Sequence, residues 1–230
     1  MSEKDDAIRR LTANIATAAR LRASAKASSR TSAARTALRN WQADRFSLTY
    51  ADLLASAEYG DAAKFLLADL YGPADVTDRD ALMQRVVPIL SKMLSAPALN
   101  VVADALELDA LTESLDADMV AALGEKDAHI DGSAYARAYR QMGRQDDRAR
   151  QIALIEDLGA SLDTLSRRRF LGAALAMMRK PMTVAGFADL HSFLEKGYDS
   201  FRKMKTAKPF LDAIVSQEKA FSAALFAGDQ

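Results

Sequence analysis

Apolar residues in this chain recur at intervals of three and four rather than two, and that spacing most constrains what it can fold into. Ile152, Ile155, Leu158, Leu162 and Leu165 fall on one helix face, and Phe187, Leu190, Leu194, Tyr198, Phe201 and Met204 on another. Such stripes must be covered by other helices. Residue usage agrees, because Ala (46) and Leu (28) far outnumber Val (8) and Ile (7), favouring unbranched helix formers over β-branched strand formers. The expected class is all-α, a single multi-helix bundle of about eight to ten helices.

Breakers predict where those helices stop. Gly72-Pro73 closes a short helix that Asp61 caps, and Thr77 or Asp78 starts the next, carrying Leu82, Val86, Ile89 and Met93, with a kink or break at Pro88. Ser95-Ala-Pro97 opens a helix that reaches about Leu123, with an interruption near Asp109 and Gly124 as its stop. Asp131 and Asp146 cap two more, separated by Gly143. Arg169 to Arg179 forms a short helix ended by Pro181, Thr183 starts the long stripe, and Pro209 opens the last helix. Between Ala23 and Ala37 there is no large apolar side chain. Residues 1–35 are therefore expected to be a basic, Ala/Ser-rich extension, flexible or frayed, ahead of a helical domain at 36–228.

The whole chain is neutral, with 31 Lys and Arg against 31 Asp and Glu, but the charge is segregated. Residues 1–45 hold ten cations and four acids, and residues 101–131 hold one cation and nine acids. Two solvated helix faces are the default expectation, and docking of one segment on the other, within or between copies, is the sharper one. Overall neutrality speaks against nucleic acid or an anionic membrane as a partner. With no cysteine, thiolate catalysis, Cys-ligated zinc and iron–sulfur chemistry are excluded. No apolar run approaches the roughly 20 residues of a membrane span, and the first thirty residues hold no secretory apolar region. The expected location is the cytoplasm.

The segment Phe65-Leu-Leu-Ala-Asp-Leu-Tyr71, followed by Gly72-Pro73, resembles an uncharacterised group of bacterial all-helical proteins marked by a Phe-Phe-Leu-Glu-Glu-Leu-Tyr motif. Phe65, Leu67, Leu70 and Tyr71 match it; Leu66, Ala68 and Asp69 stand where that motif has Phe, Glu and Glu. The likeness runs on through Leu106-Glu-Leu-Asp109, Gln151-Ile-Ala-Leu-Ile-Glu156 and Phe193-Leu-Glu-Lys-Gly197. It implies a helical bacterial protein and no particular chemistry. On residue pattern alone, the helix around Phe65 is a core helix, or else a wall of an apolar ligand cavity with Tyr71 and Asp69 as its polar groups.

Reactive constellations are scarce. His191 lies within the apolar stripe and is expected to be a hydrogen-bonded core residue, with a haem ligand or general base as the alternative. His129 sits among Glu125, Asp127 and Asp131, a weak cation site or a solvated loop. Neither histidine has a Glu three residues before it, which removes the usual di-iron pattern, and there is no Gly-rich phosphate loop, zinc-protease or nucleophile-elbow motif. Ser166-Arg-Arg-Arg-Phe-Leu171 looks like an export signal but lies far inside the chain, where a basic helix end or an acidic-partner site is the physical reading. Arg137, Arg140, Arg144 and Arg148, with Tyr135 and Tyr139, would suit nucleic acid only if the rings were exposed.

The reading that results is a non-enzymatic cytoplasmic interaction or scaffold protein with no cofactor, contacting a protein partner or a second copy. The alternatives are a binding protein for an apolar ligand (lipid, isoprenoid or haem) anchored by His191, Tyr71 and Asp69, and an enzyme using carboxylate and tyrosine acid–base chemistry.

Overall fold

The structure is a computed structural model that describes residues 2–66, 87–88, 90–92, 94–124, 130–184 and 186–228. Among the described residues every regular element is a helix. In chain order these are α1 (Glu3–Lys26), α2 (Ser29–Thr49), α3 (Ala51–Ala55), α4 (Gly60–Phe65) and α5 (Ala96–Leu123). They continue as α6 (Gly132–Met142), α7 (Gln145–Ser166), α8 (Arg169–Val184), α9 (Ala188–Lys203) and α10 (Lys208–Ala227). The all-α class is as expected. The helices gather into two compact units, one of residues 1–41, 74–155 and 217–230, the other of 42–73 and 156–216.

Residues 1–35 are the largest departure from expectation. They hold α1 and the first turns of α2 within the first unit, where the sequence predicts a flexible extension. The start of α1 is secured by a capping box: the Asp5 N–H donates to Ser2 Oγ (3.2 Å) and the Ser2 N–H to the Asp5 carboxylate (3.0 Å). Those bonds hold the Asp5 carboxyl below its ordinary pKa. Ala7, Leu11, Ile15, Ala18 and Arg22 of α1 are buried at spacings of three and four. They meet a matching row on α5, of which Leu99, Ala103, Leu106, Ala110 and Glu113 are buried. Pairing of Glu3 with Asn100, Arg10 with Glu107 and Arg22 with Glu113 shows that the two helices run parallel. The small residues Ala7, Ala18, Ala103 and Ala110 leave room in this seam for Leu11, Ile15, Leu99 and Leu106.

Local signals decide several boundaries as expected and fail at others. The Asp131 carboxylate caps α6 by accepting from the Ala134 N–H (2.7 Å), and Gly124 (φ 73°) and Gly143 (φ 65°) end α5 and α6 in conformations that favour glycine. No break occurs at Asp109, whose carboxylate accepts from Arg22. Asp146 lies inside the first turn of α7 rather than capping it. Pro181 does not end α8, which continues to Val184. Proline removes the bond to the Met177 carbonyl, and both residues face solvent, so water can satisfy that group. Helix α9 starts at Ala188, not at Thr183.

In the second unit, Phe65 and Phe201, with Met204, Phe210 and Ile214, form the apolar core. Two buried glycines make room for it. A Cβ at Gly197 would lie 2.9 Å from the Phe65 ring, and one at Gly159 only 2.2 Å from Leu211 Cδ2. Gly159→Ala is therefore expected to lower stability by about 1–3 kcal/mol through overpacking, against a helix-propensity gain of about 1 kcal/mol. Thermal unfolding decides between them, and a variant more stable than wild type contradicts this packing.

Candidate functional site

The ionisable side chains of the first unit are organised by the segregated charge of the sequence. Helix α5 carries Asp104, Glu107, Asp109, Glu113, Asp116 and Asp118, and each receives an arginine of the same chain. Glu113 is the centre, with its side chain 3% exposed. Its Oε1 accepts from Arg22 Nε (2.9 Å) and Arg39 (2.8 Å), and its Oε2 accepts from Arg35. Arg39 Nε also donates to Asp116 (3.1 Å), and Arg22 to Asp109 (2.5 Å). Burial pulls the Arg39 guanidinium toward neutrality, but Asp116 and Glu113 outweigh it and hold its pKa up. Arg35 ends lower than usual through burial and repulsion by Arg39. The basic and acidic segments thus dock within the monomer instead of lying solvated. Arginine, planar and multidentate, suits such a lattice better than lysine.

Glu107 shows what this does to acid stability. Burial raises its pKa, but hydrogen bonds from Arg10 (2.8 Å) and Arg150 (2.7 Å) more than reverse that, leaving it below the ordinary value. A carboxylate lowered on folding stabilises the native state above its unfolded pKa, and the contribution disappears as pH falls through the folded value. Stability is therefore expected to drop with acidification through and below the ordinary carboxylate range. Arg10→Ala should move the Glu107 titration upward, as read by carboxyl NMR; an unmoved titration contradicts the pairing.

Nucleic-acid recognition through the arginine series finds no exposed rings here. Tyr135 and Tyr139 are buried, Tyr135 stacks on Trp41 at 3.9 Å, and the Tyr139 hydroxyl pairs with Ser222 (2.9 Å). Arg140 donates to the Leu225 carbonyl (3.1 Å), and Arg148 lies over the Tyr139 ring.

The second unit carries the other polar cluster, on α8 and α9. Glycine at 172 lets the helices approach, since a Cβ there would lie 2.7 Å from the Tyr198 hydroxyl. A cleft of about 430 Å³ is lined by residues that include Leu175, Arg179, Glu195, Tyr198, Asp199 and Arg202. Arg179 donates to Glu195 (2.7 Å) and Arg202 to the Tyr198 hydroxyl. The bond from Arg179 holds the Glu195 carboxyl below its ordinary pKa.

His191, buried as expected, belongs to this cluster. Its Nε2 is 2.7 Å from the Leu175 carbonyl, which accepts its proton, and its Nδ1 is 3.3 Å from Glu195 Oε2. One ring nitrogen thus bonds a backbone carbonyl and the other lies beside a carboxylate. Asp69 and Tyr71, the other residues expected at a ligand site, lie outside the described residues, as do the motif residues after Leu66 and His129. Among the described residues no three His, Asp or Glu side chains converge as metal ligands, and no helix is long and apolar enough to cross a membrane.

Helix α8 has a second face, outside the apolar stripes of the sequence. None of its described side chains is buried; Leu171, Ala174, Leu175, Met178 and Met182 are half-buried toward α9. On the far side Phe170, Met177 and Val184 are 66%, 80% and 89% exposed. Their seven-residue spacing was a legible signal, hidden by expecting the helix to stop before Pro181.

A family model described as "Domain of unknown function (DUF8198)" matches residues 21–230. No curated protein and no solved structure matches the chain.

Proposed function

We propose that this chain, which belongs to the DUF8198 family of domains of unknown function, is a non-enzymatic helical interaction protein that binds another macromolecule through α8. The observation that carries this reading is the exposure of Phe170, Met177 and Val184 along one face of a helix that carries cations but no acid. Scattered exposed apolar residues are ordinary, but an aligned row is the mark of a face awaiting a partner. The engagement of His191 by Leu175 and Glu195, and the charged lining of the cleft, support this reading over a haem or lipid pocket.

The test is purification of the full-length chain from the cells that make it, followed by native mass spectrometry. A partner at fixed stoichiometry is expected, and Met177→Glu should abolish its retention while leaving the unfolding midpoint unchanged. A monodisperse monomer carrying a stoichiometric small molecule would defeat the reading.

A further inference from the structure

We propose that the outward face of α8 is built to receive an acidic amphipathic helix of a different protein, an inference that rests on the interaction reading and names its partner. Phe170, Ala173, Met177, Lys180 and Val184 are all exposed and follow one another at three, four, three and four residues, with Ala173 also at the edge of the cleft shared with α9. That is the a/d repeat of a helix–helix seam, and it runs about 21 Å along the axis at 1.5 Å per residue. Four of the five positions are apolar. The fifth, Lys180, places an ammonium in the middle of the seam and makes no ion pair among the described residues.

A polar residue at a single seam position selects partners, because burying it is costly unless the other helix supplies a matching group. Lys180 calls for Asp or Glu opposite. The charge of the segment itself agrees: from Thr164 to Ala188 there are five Lys or Arg and no Asp or Glu, and the acids beside it, Glu195 and Asp199 of α9, line the adjoining cleft with Arg179 and Arg202. Two of those cations are engaged within the chain, Arg167 with Asp163 and Arg179 with Glu195, while Arg168 is exposed at the start of the helix. A partner helix with apolar residues at its seam and acids flanking it fits this pattern.

The same charges argue against the other occupants. A second copy supplies no acid from its own α8, so in a parallel or an antiparallel pair Lys180 would enter the seam with no carboxylate of that helix opposite. A lipid surface offers Lys180 only headgroup phosphates, reached by snorkelling of its four-carbon stem, and no carboxylate at the depth of the seam.

A photocrosslinking amino acid at position 177 of the full-length chain, activated in the cells that make it, tests this with peptide mapping of the product. The expected product joins residue 177 to an Asp/Glu-rich amphipathic segment of another protein. Lys180→Glu should reduce its yield about ten-fold and Lys180→Arg should preserve it, as expected for a charge pair at a desolvated position. A product with a second copy, with lipid or with a segment lacking acids overturns the proposal, as does an unchanged yield in Lys180→Glu. A neutral or basic protein segment overturns the acidic-helix inference alone. No protein product, together with no co-purifying partner, overturns the interaction reading as well.

Discussion

Deleting residues 1–27 is expected to unfold the first unit. The cut removes Leu11 and Ile15, whose burial contributes about 1.5–3 kcal/mol each, and uncovers Leu99, Ala103 and Leu106. It also strips Arg10 and Arg22 from Glu107, Asp109 and Glu113, so that Arg150 at Glu107 and Arg35 and Arg39 at Glu113 must hold those carboxylates with one cation fewer each. Set against a total stability of about 5–15 kcal/mol for a typical domain, these losses are most of what is available. Deletion of residues 1–20, which leaves the segment matched by the family, should do nearly as much harm, because Leu11 and Ile15 are lost in both. Urea unfolding followed by circular dichroism reads the effect. A truncated chain with the wild-type midpoint and slope would show residues 1–35 to be the extension that the sequence predicts.

Glu113→Ala is the point substitution with the largest expected effect. It removes one buried carboxylate and leaves three guanidinium groups, from Arg22, Arg35 and Arg39, facing one another where two negative oxygens stood. Breaking a buried pair from one side costs about 3–5 kcal/mol, since the remaining charge stays desolvated. Glu113→Gln keeps the shape but turns an amide N–H₂ toward a guanidinium, and should fall between Ala and wild type. Asp6→Ala is the control. Its pair with Arg9 is exposed and should matter by less than about 1 kcal/mol. Equal effects at positions 6 and 113 would mean that the α5 lattice does not hold the unit together.

Glu113 itself illustrates how far the chain could be read before its structure. The excess of acids in residues 101–131 and of cations in residues 1–45 is plain, and so is their complementarity. Which acid meets which arginine is not. Arg10 and Asp104 lie 94 residues apart, and no local pattern says whether the helices carrying them run parallel or antiparallel. Residues 23–37 misled for the same reason. Their small side chains have little to bury by themselves, but Arg22 just before them and Arg35 among them are drawn in by Glu113, a partner that composition does not reveal. On α8 the error was one of local rules. Proline ends a helix when the lost bond is buried, and at Pro181 solvent is at hand.

What the sequence determined by itself is therefore whatever is settled within a turn or two of chain: helix as the only regular element among the described residues, the Asp131 cap, and the glycine stops at 124 and 143. These depend on backbone hydrogen bonds and dihedral preferences over a few neighbouring residues. The tertiary structure alone decided that α1 lies on α5, that one nitrogen of His191 bonds a backbone carbonyl and the other lies beside a carboxylate, and that one apolar face of α8 is left open. Burial and charge pairing depend on which distant segment arrives at a surface, and that outcome is a property of the whole packed chain.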